Sequence, residues 1–120
     1  MPLVRVDMHA PLADLRPQMS EAINESLAEG WGMPADDLFQ IFQVHEPGDL
    51  FYSRTFPDAD RTDIVFISIL AYNGYSPETK QRGAELIVDR LAALGIKRDN
   101  ILISIHENGD GDWRAPSKEA

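Results

Sequence analysis

The sequence predicts one α+β domain: a tandem β-α-β duplication that forms a four-stranded sheet with two helices on one face. Three observations lead there. First, GMPADDLFQIFQVHEPGD at 32–49 returns as GIKRDNILISIHENGD at 95–110, each running Gly, apolar, two residues, Asp-Asp or Asp-Asn, an apolar strand and His-Glu-x-Gly-Asp. Second, each copy is preceded by apolar residues at helical spacing. Third, each of those helices is preceded by a strand, so the order is β-α-β twice, and each crossover pairs its strands in parallel. The first unit spans about residues 2–46, a connecting loop 47–63, the second unit about 64–107 and a tail 108–120, all in a single domain.

In the first unit PLVRVD at 2–7 alternates as a strand does. Asp14 is a candidate cap for the first helix, and Pro17 suits its first turn, where a missing N–H costs little. Leu15, Met19, Ala22, Ile23, Ser26 and Leu27 form its buried stripe, and Gly30 or Gly32 ends it. In the second unit IVFISIL at 64–70 is apolar on both parities, as a strand covered on both faces should be. Ser76 is the N-cap of the second helix, with Pro77 at its first position. Ala84, Ile87, Val88, Leu91 and Leu94 line one face until Gly95 stops it. Between the Asp pair and the His-Glu pair the second copy is two residues shorter, which predicts a bulge or a longer strand in the first. Residues 47–63 hold Pro47 and Pro57 in a turn-rich stretch that joins the halves.

Composition narrows the function classes. Twenty acidic against eleven basic residues leave a net charge of -9, which repels phosphate backbones and anionic lipid, so neither nucleic acid nor membrane is expected as a partner. The longest apolar stretch, IVFISILAY, has nine residues, against the ~20 needed to cross a bilayer. No cysteine is present, which excludes thiolate metal sites and a cysteine nucleophile and fits the reducing cytoplasm. His45-Glu46 and His106-Glu107 occupy equivalent strand ends, where neighbours point to opposite faces, and NGDGDW lacks the closing glutamate of a calcium loop. No metal and no cofactor is expected.

Element order alone leaves a ferredoxin-like sensor as an alternative fold. The residues are more specific: MPLVRVD at the start, MPADDLFQ closing the first crossover, ETKQR opening the second helix and ENGDGDW after the last strand. Over residues 2–113 the chain resembles the tautomerase superfamily, and most of all the malonate semialdehyde decarboxylase-like branch. The resemblance implies that Met1 is removed, that the Pro2 amine becomes the catalytic base, and that subunits assemble as a homotrimer. Burial of such an amine in an apolar pocket disfavours its charged form and suits it to base catalysis. The competing structural reading makes Pro2 the first residue of an edge strand.

Asp37 falls where that branch places a functional aspartate. Its counterpart in the second copy is Asn100, so the ionisable group survives in one half only, whereas Asp36 and Asp99 match as turn residues. The branch also carries a pair of arginines before the second helix, which would hold a substrate carboxylate. Here that stretch reads ILAYNGYSPETK, with Tyr72, Asn73 and Tyr75 and no cation. Tyr75 is the candidate pocket hydroxyl, with Asn73 beside it, and Trp113 resembles a family tryptophan near the pocket. Arg54 and Arg114 are candidate replacements for the lost charge, and Arg61 is expected to pin the loop. The chain stops seven residues after Trp113, so part of the decarboxylase pocket wall is expected to be missing or supplied by a neighbour. The expected activity is cofactor-independent keto-enol tautomerisation of a small 2-keto acid; the alternatives are decarboxylation or hydration of a three-carbon acid such as malonate semialdehyde, and a trimeric scaffold that only binds ligand.

Overall fold

The computed structural model describes residues 1–116; the end of the expected tail, 117–120, lies outside the described residues. Its elements are β1 (Pro2–His9), a 3-10 segment (Ala10–Leu15), α1 (Arg16–Trp31), β2 (Gln40–His45), β3 (Val65–Tyr72), α2 (Pro77–Ala93), a short turn of 3-10 helix (Arg98–Asn100) and β4 (Ile101–Asn108). The sheet order is β2-β1-β3-β4. β1 and β2 pair in parallel, as do β3 and β4, and the two units meet through the antiparallel pair β1–β3.

Strand alternation decides what enters the core. Val4, Val6 and Met8 of β1 and Val65, Ile67, Ile69 and Ala71 of β3 are buried on one face, against Met19, Ile23 and Leu27 of α1 and Ile87 and Leu91 of α2. The helix ends follow ordinary chemistry. Ser76 accepts a hydrogen bond from Thr79 N at 3.1 Å as the N-cap of α2. Gly32 closes α1 with φ 74°, a conformation that costs glycine little.

Three expectations are corrected. Asp14 does not cap α1: the helix is entered from the 3-10 segment, and Leu15 stands at the N-cap without a side-chain bond. The two extra residues of the first copy form neither a bulge nor a longer strand. They are Leu38 and Phe39, a short approach to β2, whereas β4 begins directly after Asn100. Finally, β3 is fully covered on one face only. Phe66, Ser68 and Leu70 are half-buried, because no second layer among the described residues covers that side, and Ile41 and Leu102 are each 46% exposed there.

On the same open face Asp7 accepts hydrogen bonds from Arg5 Nε at 3.0 Å and Arg5 Nη2 at 3.1 Å, and from His45 Nε2 at 2.6 Å. Burial alone would raise the Asp7 carboxyl, but the hydrogen bonds and charges of Arg5 and His45 outweigh it and hold it below its ordinary value of 3.8. A depressed carboxyl stabilises the fold above its unfolded value, and that contribution is lost as pH falls through the folded one. Asp7→Asn should therefore lose less stability than the native chain between about pH 5 and pH 2. The difference should stay under about 1 kcal/mol for a pair on the open face of the sheet, read by urea denaturation at each pH; parallel curves for the two proteins would contradict it.

Candidate active site at the chain start

The site is built where β1 begins. Pro2 is buried and lies opposite Ala71 of β3. Because β1 runs between β2 and β3, the edge-strand reading of Pro2 is overturned; its missing N–H is tolerated because it stands at the first residue of the strand. The backbone turn closed by Asp37 N and Pro34 O at 3.1 Å then brings the Asp37 carboxylate back to the start of the chain. Asp37 Oδ2 stands 3.2 Å from the Met1 amine, and its side chain is 18% exposed. That amine is the α-amino group of Met1; in a chain without Met1 it would be the Pro2 nitrogen, one residue further in.

The duplication explains how a carboxylate comes to be there. Asn100, in the matching place of the second half, is 5% exposed, and its Oδ1 accepts from Thr62 N at 2.9 Å and Asp63 N at 3.2 Å, just before β3. The same position thus serves the segment preceding a central strand in both halves. In the second half that segment offers backbone amides, which an amide oxygen satisfies. In the first half it offers a free amine, which a carboxylate satisfies.

Beside the amine opens a cavity of about 350 Å³, lined by Met1, Tyr72, Gly109, Asp110, Gly111 and Trp113. The half-buried Trp113 donates from Nε1 to Asn108 Oδ1 at 2.6 Å. The turn below is tied by Gly109 N to Asp112 Oδ2 at 2.8 Å, and Asn73 N donates to Asn108 O at 2.8 Å. Tyr72 donates its hydroxyl hydrogen bond to Asp110 Oδ1. A larger cavity of about 530 Å³ lies between α2 and β4 and includes Lys80, Gln81 and Glu85. It does not reach the chain start, whereas the smaller cavity is lined by Met1, the Asp110 carboxylate and the Trp113 ring; Asp37 and Pro2 are in neither lining and adjoin the smaller cavity through Met1.

Of the residues singled out from sequence, Pro2, Asp37 and Trp113 come together at this end of the sheet. Asn73 supports the wall from behind, its Nδ2 lying 3.1 Å from where a Cβ on Gly109 would be. Tyr75 does not line the cavity. Its ring is stacked on Trp31 with centroids 4.8 Å apart, and it packs against the core. Arg54 does not replace the lost charge: it lies over the Tyr52 ring and beside His9 and Asp63, at the other end of β1 and ~23 Å along the strand. Arg114 is exposed and is not among the cavity residues. Arg61 does hold the loop, donating from Nη1 to the carbonyls of Ser53 and Phe56. Asp110 was not singled out as a cavity residue, and Tyr72 was named only as one of the groups standing where the arginines are missing; the antiparallel register, with Pro2 opposite Ala71, puts Tyr72 beside the chain start.

The Tautomerase_2 family model, described as "Tautomerase enzyme", matches residues 37–114. The chain belongs to this tautomerase family. Among its tautomerase relatives is the probable tautomerase YusQ of Bacillus subtilis (strain 168), 27% identical over 116 residues, covering 94% of this chain and 91% of the relative. Probable tautomerase YrdN of the same organism is 27% identical over 119 residues, covering 94% and 89%. Among solved structures, FG41 malonate semialdehyde decarboxylase inhibited by 3-bromopropiolate superposes with a TM-score of 0.88 at 30% identity, covering 97% of this chain and 90% of that one. The chain is thus an enzyme of the tautomerase type, and its mixed four-stranded sheet with two helices is the tautomerase fold.

Proposed function

We propose that this tautomerase interconverts the keto and enol forms of a small 2-keto acid, without a cofactor, using the amine of Pro2 after Met1 is lost. The observation that carries the reading is the Asp37 carboxylate 3.2 Å from the amine at the chain start, beside a cavity walled by Trp113. In enolisation the secondary amine takes a proton from the carbon next to the carbonyl while the carbonyl oxygen gains one; in ketonisation the ammonium returns its proton to that carbon and the enol oxygen gives one up. Asp37 holds the ammonium in place while it carries that proton, and Trp113 shelters it from water. The open sheet face, with Ile41 and Leu102 exposed, supports assembly as a homotrimer. The absence of cysteine suits a reducing compartment such as the cytoplasm.

Two measurements test the reading. Mass spectrometry of the natural protein should find Pro2 at the N-terminus, since a retained Met1 leaves no free prolyl amine. Asp37→Asn should slow ketonisation of an aryl-pyruvate enol by about 10²-fold; an unchanged rate removes Asp37 from the site.

A second reading, decarboxylation or hydration of malonate semialdehyde, draws support from the 30% identical decarboxylase. It is weakened by a cavity lining that carries Asp110 and no arginine or lysine among the described residues. Turnover of malonate semialdehyde exceeding that of the enol would favour it. A chain that binds such acids and transforms none of them would be the scaffold of the third reading.

A further inference from the structure

The cavity at the chain start holds a second polar group besides the amine, and its hydrogen bonding has a direction. Tyr72 is the residue after Ala71, the partner of Pro2 in the antiparallel pair. It therefore borders the free end of the chain, and Tyr72, Asp110 and Met1 line one cavity. The phenol hydrogen is committed to the Asp110 carboxylate, since an ionised carboxylate can only accept. What the phenol turns toward a ligand is an oxygen with its lone pairs, made more basic by the negative charge behind it. Such an oxygen accepts from an O–H and is repelled by the oxygen of a ketone or a second carboxylate. Tyr72 is 40% exposed and so reachable, and Asp110 is exposed, which lets it exchange protons with water.

We infer that Tyr72 is a further catalytic residue, that Asp110 is its positioning residue, and that together they receive the enol hydroxyl while Pro2 works at carbon. This rests on the reading of Pro2 for the carbon end. In ketonisation the N–H bond of the Pro2 ammonium breaks and a C–H bond forms at the enol carbon, using the electron pair of the C=C bond. The enol O–H bond breaks, its electron pair completing the carbonyl, and that proton goes to the phenol oxygen as the phenol passes its own to Asp110. Asp110 then releases the proton to water, and the amine takes one up. No oxidant, reductant or further reactant is needed. The ligand class follows from the same geometry: a hydroxyl donor next to an aryl or apolar group that lies on Trp113, with at most one negative charge, because the lining carries Asp110 and, beyond the amine at the chain start, no arginine or lysine among the described residues.

The test uses two probes that differ at one oxygen. Mandelate carries a hydroxyl where phenylglyoxylate carries a ketone, and phenylglyoxylate has no hydrogen with which to enolise. The native chain should bind mandelate about 10-fold more tightly than phenylglyoxylate, as one hydrogen bond backed by a charge allows, read by isothermal titration or by quenching of Trp113. Tyr72→Phe should abolish that preference and lower kcat for ketonisation of an aryl-pyruvate enol more than it raises KM. Asp110→Ala should shift the preference toward the ketone, because with no acceptor behind it the phenol hydrogen is free to donate. Equal affinities in the native chain, or a hydroxyl preference that survives both substitutions, overturn the assignment. If the preference depends on Tyr72 but turnover is indifferent to Pro2→Ala, the reading of Pro2 fails and the Tyr72 assignment stands. If Pro2→Ala abolishes turnover and Tyr72→Phe changes neither preference nor kcat, the assignment fails and the reading of Pro2 stands.

Discussion

Pro2→Ala, in a chain that still loses Met1, should lower ketonisation of an aryl-pyruvate enol by about 10²–10⁴-fold, the usual contribution of a positioned general base. Alanine leaves a primary amine at the chain start, but one no longer held by a ring whose nitrogen is aimed by the strand. An N-terminal tag joined directly to Pro2 should cost at least as much, because it turns the nitrogen into an amide with no basic lone pair. Neither change should unfold the protein, since Pro2 is the first residue of β1 and the register of β1 with its neighbours is held by the residues that follow. Circular dichroism should therefore be unchanged while stopped-flow rates collapse. Full activity in both variants would mean that the amine has no part in the chemistry.

Trp31→Ala should cost about 3–5 kcal/mol of stability, the range for emptying a buried indole site. Trp31 is 7% exposed at the end of α1, stacked on Tyr75 and set into a notch on α2. The notch is Gly83: a Cβ built there would stand 2.2 Å from Trp31 Nε1 and 2.7 Å from its Cδ1. Gly83→Ala should therefore destabilise the native chain by about 1–3 kcal/mol through overpacking, since the indole is held by Tyr75 and has nowhere to swing. In the Trp31→Ala background the same substitution meets no indole. There it should be neutral or regain up to ~1 kcal/mol from the better helix propensity of alanine. That change of sign, measured as a double-mutant cycle by urea denaturation, is the signature of the notch. Additive costs would show that Gly83 is required for some other reason, such as its close approach to Gly30 on α1.

Some of this was legible in the chain and some was not, and the division follows the range of the interactions. Ser76-Pro77 announced the start of α2, and Gly30 and Gly32 left two choices for the end of α1, because capping is chemistry between residues a turn apart. The parallel pairs β1–β2 and β3–β4 were legible because each strand-helix-strand unit closes within about one repeat. Asp37 stood out because the duplication offered Asn100 as an internal control. Asp14 was misread because a capping residue competes with the local path of the chain, here the 3-10 segment, which leaves no signal of its own. Tyr75 was misread because a tyrosine before a helix looks the same whether its ring turns to a cavity or, as here, to Trp31, 44 positions away.

By itself the sequence determined the repeat, the two amphipathic helices and the alternation that builds one core face, and it singled out the proline and aspartate proposed for the site. Only the tertiary structure decided that the halves join through an antiparallel β1–β3 pair. That pairing makes Pro2 part of a central strand, carries Tyr72 and Asp110 to the chain start, and leaves Arg54 at the far end of β1. The physical reason is that periodicity and capping are written in neighbouring residues, whereas register between two separately closed units is chosen by how their buried faces fit, and no short stretch of either unit encodes that fit.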